Sequence, residues 1–387
     1  MDKKLRLGVV GVGNMGSSHI NMYVDGSLPE VEVTAACDVK QDRLDWAKER
    51  VPGIATFLNY SDMLDSGLVD AVIVATPHYF HPPMVKEALG KGIHALSEKP
   101  AGVYTKDVRE LIEYSKTVDA TYAIMFNQRT NCVYRKAKEL VASGKYGEIR
   151  RVNWIITDWF RSQSYYDSGG WRATWAGEGG GVLMNQCPHQ LDLWQWICGM
   201  PSKVRAFCRC GKWHDIEVED DVTIYCEYPN GASGVFITST GDAPGSNRLE
   251  ITLDKGKLVI EDGSSIRMFE NEVLTSEFTY THKDGFGRPN GEWHDIETDG
   301  QNPQHVGVTN AFAAHILHGA PLIADGAEGI NGLTIANAAF LSSWLDSWIE
   351  LPIDEDLYLA ELNKRRATSR AKTNVTEQVQ GDMSGTY

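Results

Sequence analysis

Leu5-Arg6-Leu7-Gly8-Val9-Val10-Gly11-Val12-Gly13-Asn14-Met15-Gly16 is the stretch on which the fold of this chain turns. Residues 5–11 have the apolar composition of a buried strand, and residues from Asn14 to about Asp25 suit a helix. A glycine triplet at this spacing is a weak signal alone. Between a strand and a helix it describes a dinucleotide-binding turn. Gly11 permits the sharp turn, Gly13 lets the backbone approach a pyrophosphate, and Gly16 lets helix and strand pack closely. Asn14 and Met15 then open a helix whose first-turn N–H groups suit an anion.

A second apolar run, Val31–Cys37, ends at Asp38, about 20 residues beyond the glycines. A carboxylate there accepts hydrogen bonds from ribose hydroxyls and repels a 2′-phosphate, so the expected cofactor is NAD. Arg43 is the nearby group that would accommodate such a phosphate. The alternation continues with a helix over 42–50, strands over 71–75, 94–97 and 122–126, and helices over 83–91 and 105–117. This order predicts an α/β domain, a doubly wound parallel Rossmann sheet spanning residues 1–127. Ligands sit at the carboxyl ends of such strands. Those ends carry Thr76-Pro77-His78 with His81 just beyond, Glu98-Lys99-Pro100, and Asn127-Gln128-Arg129. We expect Thr76, Pro77, His78, His81, Glu98, Lys99 and Asn127 around the cofactor, and Arg129 toward the substrate.

At 387 residues the chain has the length of two domains. Its 42% hydrophobic and 23% charged content is that of a globular protein. A net charge of −15 argues against nucleic-acid binding, which needs a basic face. No signal-peptide pattern and no apolar stretch of roughly 18 residues occurs, so no membrane partner is expected. Seven scattered cysteines do not suggest a disulfide framework, and a reducing cytoplasm is the expected compartment.

Beyond about Gly147 the pattern changes to alternating runs over 149–157, 222–228, 232–239, 248–253, 257–260 and 266–269. Asn230-Gly231 and Lys255-Gly256 read as turns between them. The expectation is an α+β domain over 128–362, built on a large, mainly antiparallel open sheet. Helical segments are expected over 183–198, 310–317 and 330–348, the last two returning to the first domain. Residues 281–305 read as a long loop of the kind that forms lids, with His305 reaching the pocket. Residues 363–387 read as a polar, basic tail or arm.

Between the domains lies a dense aromatic segment with Trp159, Arg161, Tyr165, Tyr166, Trp171, Arg172 and Trp175. Aromatic faces stack on the C–H faces of sugar rings, and arginines donate to their hydroxyls. We therefore expect Trp159, Arg161, Tyr165, Trp171, Arg172 and Trp175 to wall a carbohydrate pocket. No carboxylate-binding cluster stands out, which points to a neutral substrate. Cys208-Arg209-Cys210 with His214 lacks a second ligand pair, so no metal is expected. The string Trp-His-Asp-Ile-Glu occurs at 213–217 and again at 293–297, too short to define a repeat.

Glu98-Lys99-Pro100 after a Rossmann strand, together with Gly179-Gly180-Gly181-Val182-Leu183-Met184-Asn185-Gln186-Cys187-Pro188-His189-Gln190-Leu191-Asp192, resembles the glucose–fructose oxidoreductase / inositol dehydrogenase (Gfo/Idh/MocA) family. The resemblance runs over about residues 4–355. It implies an NAD-dependent dehydrogenase that forms a homodimer or homotetramer through its open sheet. Carried residue by residue, it implies catalytic roles for Lys99, Asn185 and His189. His189 would be the base, Asp192 would hold its ring or stabilise the imidazolium, and Lys99 would donate to the reacting oxygen. The chain departs from the family at Asn185, where relatives carry aspartate; asparagine orients a hydroxyl but takes no proton. The aromatic segment with Asn185-Gln186 and Pro188-His189 looks like the levoglucosan / pyranoside 3-dehydrogenase branch. That likeness implies oxidation of a ring secondary hydroxyl of a neutral sugar, glycoside or anhydrosugar at C3. An inositol or polyol dehydrogenase, a redox-elimination glycosidase and a non-catalytic NAD-binding sensor are the alternatives.

Overall fold

The computed structural model describes residues 4–370, 372, 375 and 376. The expected tail over 363–387 therefore lies largely outside the described residues, as do positions 1–3. Six strands form the first sheet: β1 (Leu5–Val10), β2 (Val31–Cys37), β3 (Ala55–Phe57), β4 (Ala71–Val74), β5 (His94–Ser97) and β6 (Tyr122–Ile124). Their order is β3-β2-β1-β4-β5-β6, and every neighbouring pair is parallel. All four residues of β4 are buried, as helices on both faces require. The β3 strand and the helix Tyr60–Asp65 escape a reading by periodicity because each is shorter than two turns or two alternations. Strand order reverses between β1 and β4, and this places the Gly11–Gly16 turn at the crevice where ligands bind in such sheets.

The second sheet contains β7 (Ile149–Ile156), β8 (Lys203–Cys210), β9 (Glu219–Glu227), β10 (Ser233–Ser239), β11 (Asn247–Leu253), β12 (Gly256–Glu261), β13 (Ser265–Asn271), β14 (Gly291–Asp295) and β15 (Ile349–Glu350). Its order is β14-β13-β12-β11-β7-β10-β9-β8-β15. Among the described strands of this second sheet, only the β7–β10 pair is parallel. Gly231 takes φ +84°, as the Asn230-Gly231 turn between β9 and β10 demands. The strand β14 and a helix, Thr275–Thr281, lie in and beside the stretch expected to be a lid loop. The fully exposed run of β14 hides its strand character, because no alternation is imposed by burial.

Helix Pro188–Cys198 lies on this sheet, with Trp194 stacked on Phe236 of β10 at 5.3 Å between ring centroids. Proline at its first position and Gly199 at φ +84° mark its ends. Helix Gln304–His318 returns to the first domain, where Val308, Phe312 and Ala313 join the core of β1. Helix Gly329–Leu345 packs on the second sheet and bolts the domains together. Its buried Asn337 donates to the Val103 carbonyl and accepts the Thr105 N–H.

Helix Glu355–Ala367 takes Lys364, Arg365 and Arg366 out of the expected tail and places them at its C-terminus, where cations complement the helix dipole. Farther on, Lys372 donates to the Tyr166 carbonyl at 2.6 Å and the Thr376 N–H to the Asp167 carbonyl at 3.0 Å. Lys372 and Thr376 thus meet the chain's own aromatic segment. No described helix is long and apolar enough to cross a membrane.

Candidate active site

A cavity of about 1430 Å³ lies between the ends of the β1, β2, β4 and β5 strands and the aromatic segment. At its cofactor end, Gly11 has φ +83°, and a Cβ there would sit 2.7 Å from the Ala75 carbonyl oxygen. A Cβ on Gly16 would lie 1.8 Å from the Gly11 oxygen, so helix and strand close only over glycine. Gly13 differs: a Cβ there meets nothing within 4 Å. Its hydrogen is demanded by no protein neighbour, and the space beside it opens on the cavity that Gly13, Asn14 and Met15 line. Gly13 is also the N-cap of helix Asn14–Val24 and offers no side chain to the first-turn amides. These observations fit a pyrophosphate held against the turn.

Asp38 lines the same end and accepts N–H bonds from Val12 at 2.7 Å and Lys40 at 2.9 Å. Arg43 is folded onto the turn, donating to the Val12 carbonyl and the Ser17 hydroxyl, both at 2.7 Å. Two of its five donors are thus held by the turn, and the Asp38 carboxylate suits a ribose hydroxyl where it would repel a 2′-phosphate.

Deeper in, Thr76, Pro77, His78, His81, Glu98 and Lys99 line the cavity. His81 straps two strand ends together, its ring nitrogens facing the Pro100 and Thr76 carbonyls at 2.7 and 2.6 Å. Glu98 is buried beside His19 at 2.8 Å and accepts the Lys99 N–H at 3.2 Å. Burial works to raise the pKa of Glu98, but the His19 hydrogen bond and charge outweigh it and hold it at about 2. His19 was not anticipated, although it lies one helical turn beyond Gly16. Burial lowers Lys99, while Glu98 and Glu178 oppose the shift. The Lys99 ammonium donates to the main-chain carbonyl of Asn185 at 2.9 Å.

Asn185 and His189 line the cavity from the other domain, as does His305. Burial, helped by the charges of Lys99 and His305, holds His189 well below the ordinary imidazole value, so its ring is neutral. Burial likewise brings His305 down to about 4. Asn185 Nδ2 donates to Glu178, a residue the sequence reading passed over. The turn carrying Asn185 is tied by Glu219, whose carboxylate accepts the Gly181 and Leu183 N–H groups at 2.8 and 2.9 Å. Burial raises Glu219 to about 8. Glu219 sits in the acidic run Glu217–Asp221, which the sequence analysis did not single out.

Trp159, Arg161, Tyr165, Trp171 and Arg172 form the opposite wall. Arg161 and Arg172 both lie over Tyr165, at 5.3 and 4.8 Å from its ring centroid. The first Trp-His-Asp-Ile-Glu string holds this wall in place. His214 meets the Arg161 carbonyl at 2.8 Å, and Glu217 accepts the Trp175 N–H at 2.7 Å. The second string lies at β14 and on the segment after it, so the two share no structure.

Four expected site residues do not line the cavity: Gly16, which closes helix on strand behind the turn, and Trp175, Arg129 and Asn127. Trp175 is buried against Phe340 and Trp344, each 5.5 Å away, because an indole with apolar neighbours on two sides packs into the core. Arg129 is 2% exposed and grips Asp192 through two donors, at 2.8 and 2.7 Å, with Glu328 on its third nitrogen. Asp192 therefore does not hold His189, whose Nδ1 has no hydrogen-bond partner among the described residues. A buried carboxylate is best satisfied by a bidentate guanidinium, and Arg129 outcompetes imidazole for it. Asn127 sits behind the cavity with its amide donating to Gln304 at 2.5 Å.

Family models match both parts of the chain: "Oxidoreductase family, NAD-binding Rossmann fold" over residues 5–126 and "GFO/IDH/MocA C-terminal domain" over residues 134–259. The rhizopine catabolism protein MocA of Rhizobium meliloti is 27% identical over 62% of this chain and 73% of its own length. An inositol 2-dehydrogenase of Corynebacterium glutamicum is 28% identical over 51% of this chain, and the match spans only 56% of that relative. Among solved structures, the WlbA dehydrogenase of Chromobacterium violaceum, in complex with NADH and UDP-GlcNAcA, superposes with a TM-score of 0.78. It is 26% identical, with 92% of this chain and 98% of that one covered. A levoglucosan dehydrogenase shares the fold at a TM-score of 0.75 and 18% identity, over 90% of this chain and all of its own.

Proposed function

Because this chain belongs to the Gfo/Idh/MocA family of NAD-binding oxidoreductases, we propose that it oxidises a ring secondary hydroxyl of a sugar, glycoside or polyol. The observation that carries the reading is the meeting of Lys99, Asn185 and His189 in one cavity with the glycine turn. A polar triad from two domains faces a wall of Trp159, Tyr165 and Trp171, with Arg161 and Arg172 between them. Aromatic faces suit the C–H faces of a sugar ring, and the guanidinium donors suit its hydroxyl oxygens.

Bound NAD would be held by the Gly11–Gly16 turn and Asp38 and would accept the carbinol hydride. The remaining work falls to the chain. Lys99 donates a hydrogen bond to the reacting oxygen and stabilises the negative charge that develops there. His189, neutral at rest, takes the hydroxyl proton as the C–H bond breaks, so proton and hydride leave the substrate for different acceptors. Asn185 orients the substrate through a hydroxyl beside the reacting one. The buried His189 and the half-buried Lys99 leave bulk water little room to compete for these hydrogen bonds.

Purified protein with NAD and a panel of inositols, free sugars, glycosides and anhydrosugars should raise NADH absorbance with at least one member. Silence across the panel sinks the reading. Release of an aglycone without net NADH would point instead to redox elimination. His189→Ala should cut turnover by about 10²- to 10⁴-fold while NADH affinity is nearly retained. Equal loss in both would remove His189 from the role of base.

A further inference from the structure

Asn185 lines the cavity, and its amide has two chemically different ends. Its nitrogen donates to Oε1 of Glu178. Glu178 is 2% exposed, and its other oxygen, Oε2, accepts the Ala173 N–H at 2.5 Å. The glutamate's own backbone is fixed as well. Its N–H donates to the Thr174 carbonyl at 2.9 Å, and its carbonyl faces His78 Nδ1 at 3.1 Å. A carboxylate held at both oxygens has only acceptor capacity, so it selects the NH₂ end of any amide placed against it.

We propose that Glu178 is a positioning residue that fixes the Asn185 amide with Oδ1 toward the cavity, as the acceptor for a substrate hydroxyl beside the one whose proton His189 takes. A carboxylate is thereby held one hydrogen bond behind the substrate-facing group. Two consequences follow for the site. Position 185 presents the acceptor that an aspartate would present, without its charge. The Glu178 charge also faces Lys99, whose ammonium it favours, and is shared with Arg172 at 4.0 Å. Burial raises the Glu178 carboxyl, while Arg172, the Ala173 N–H, the Asn185 amide and Lys372 favour its charged form; Glu219 and Tyr166 also face it. This inference rests on the dehydrogenase reading above.

The test is a charge-swap cycle in the full chain. Asn185→Asp alone sets two carboxylates within hydrogen-bonding reach, which cannot both ionise. Its kcat/KM should fall by more than about tenfold near neutral pH. Glu178→Gln alone leaves the facing amide without a defined orientation and should cost about tenfold, chiefly in kcat. The double variant Glu178→Gln/Asn185→Asp restores one carboxylate and one amide and should recover at least about fivefold over Asn185→Asp. NADH dissociation constants within about twofold of wild type serve as the folding control. A double variant no better than Asn185→Asp, or an unaffected Glu178→Gln enzyme, would overturn the proposal.

A second readout needs no substrate. The carboxylate pair in Asn185→Asp must share a proton, so its Tm should decline from about pH 5 to about pH 8 more steeply than wild type. That extra slope should vanish in the double variant. Its persistence there, or its absence in the single variant, refutes the Glu178–Asn185 coupling. An inert sugar panel with the Tm pattern intact would count against the proposed reaction and not against the coupling.

Discussion

The Lys99 ammonium donates to the main-chain carbonyl of Asn185 at 2.9 Å, joining the end of β5 in the first domain to the turn that precedes helix Pro188–Cys198 in the second. The contact makes the active site a property of the interface. Lys99→Met should therefore lower kcat/KM by about 10²- to 10³-fold, the cost of one donor to a developing oxyanion. Steady-state rates against NADH fluorescence titration check this. A parallel collapse of NADH binding would show that Lys99 acts through the cofactor instead.

The pH–rate profile should be bell-shaped and broad. His189 must be neutral to accept a proton, and burial lowers its pKa well below the ordinary 6.5. Its active form therefore survives as pH falls through that value, and the acid limb of kcat/KM lies below it. Lys99 must be protonated to donate, and burial lowers it from 10.5, so the alkaline limb lies below that value. Profiles of kcat/KM from about pH 5 to about pH 10 measure both limbs. An acid limb above neutrality would contradict the placement of His189.

Two glycines of the same turn should respond in opposite ways. Gly13→Ala places its Cβ in open space and should leave Tm nearly unchanged while weakening NADH binding by more than about tenfold. Gly16→Ala drives a Cβ to 1.8 Å from the Gly11 oxygen and should destabilise the first domain itself. Calorimetry and NADH titration of the pair separate the effects. A Gly13→Ala protein with wild-type NADH affinity would remove the pyrophosphate from this position.

Arg129→Met should act on stability and not on substrate affinity. Arg129 and Asp192 are 2% and 1% exposed, and removing the guanidinium strands a buried carboxylate. The expected loss is about 3–5 kcal/mol. Arg129→Met/Asp192→Leu should recover much of it, because apolar pairs of similar volume often replace buried ion pairs without cost. Urea unfolding of both variants, beside their KM values, decides between this role and direct substrate binding.

How far the chain could be read depended on how local each feature was. The Gly11–Gly16 turn, the strand Val31–Cys37 and the helix opened by Pro188 and closed by Gly199 are set by the glycine, proline and apolar positions within each segment. They were legible because a turn or an amphipathic face is specified by its own residues. β3, β14 and β15 were not, since two to five residues with no alternating burial leave no period to detect.

Side-chain partners were a different matter. The sequence by itself determined a Rossmann domain with an NAD-binding turn, a second sheet, and the presence of Lys99, Asn185 and His189 as groups able to do the chemistry. Only the tertiary structure decided that Asp192 belongs to Arg129 and not to His189. It likewise placed Trp175 in the core while Trp171 lines the cavity, and set Glu178 against Asn185. The reason is physical. A buried charge is satisfied by the partner that packing brings within about 3 Å, whatever its distance in sequence, and the burial that creates the demand is set by the assembled fold.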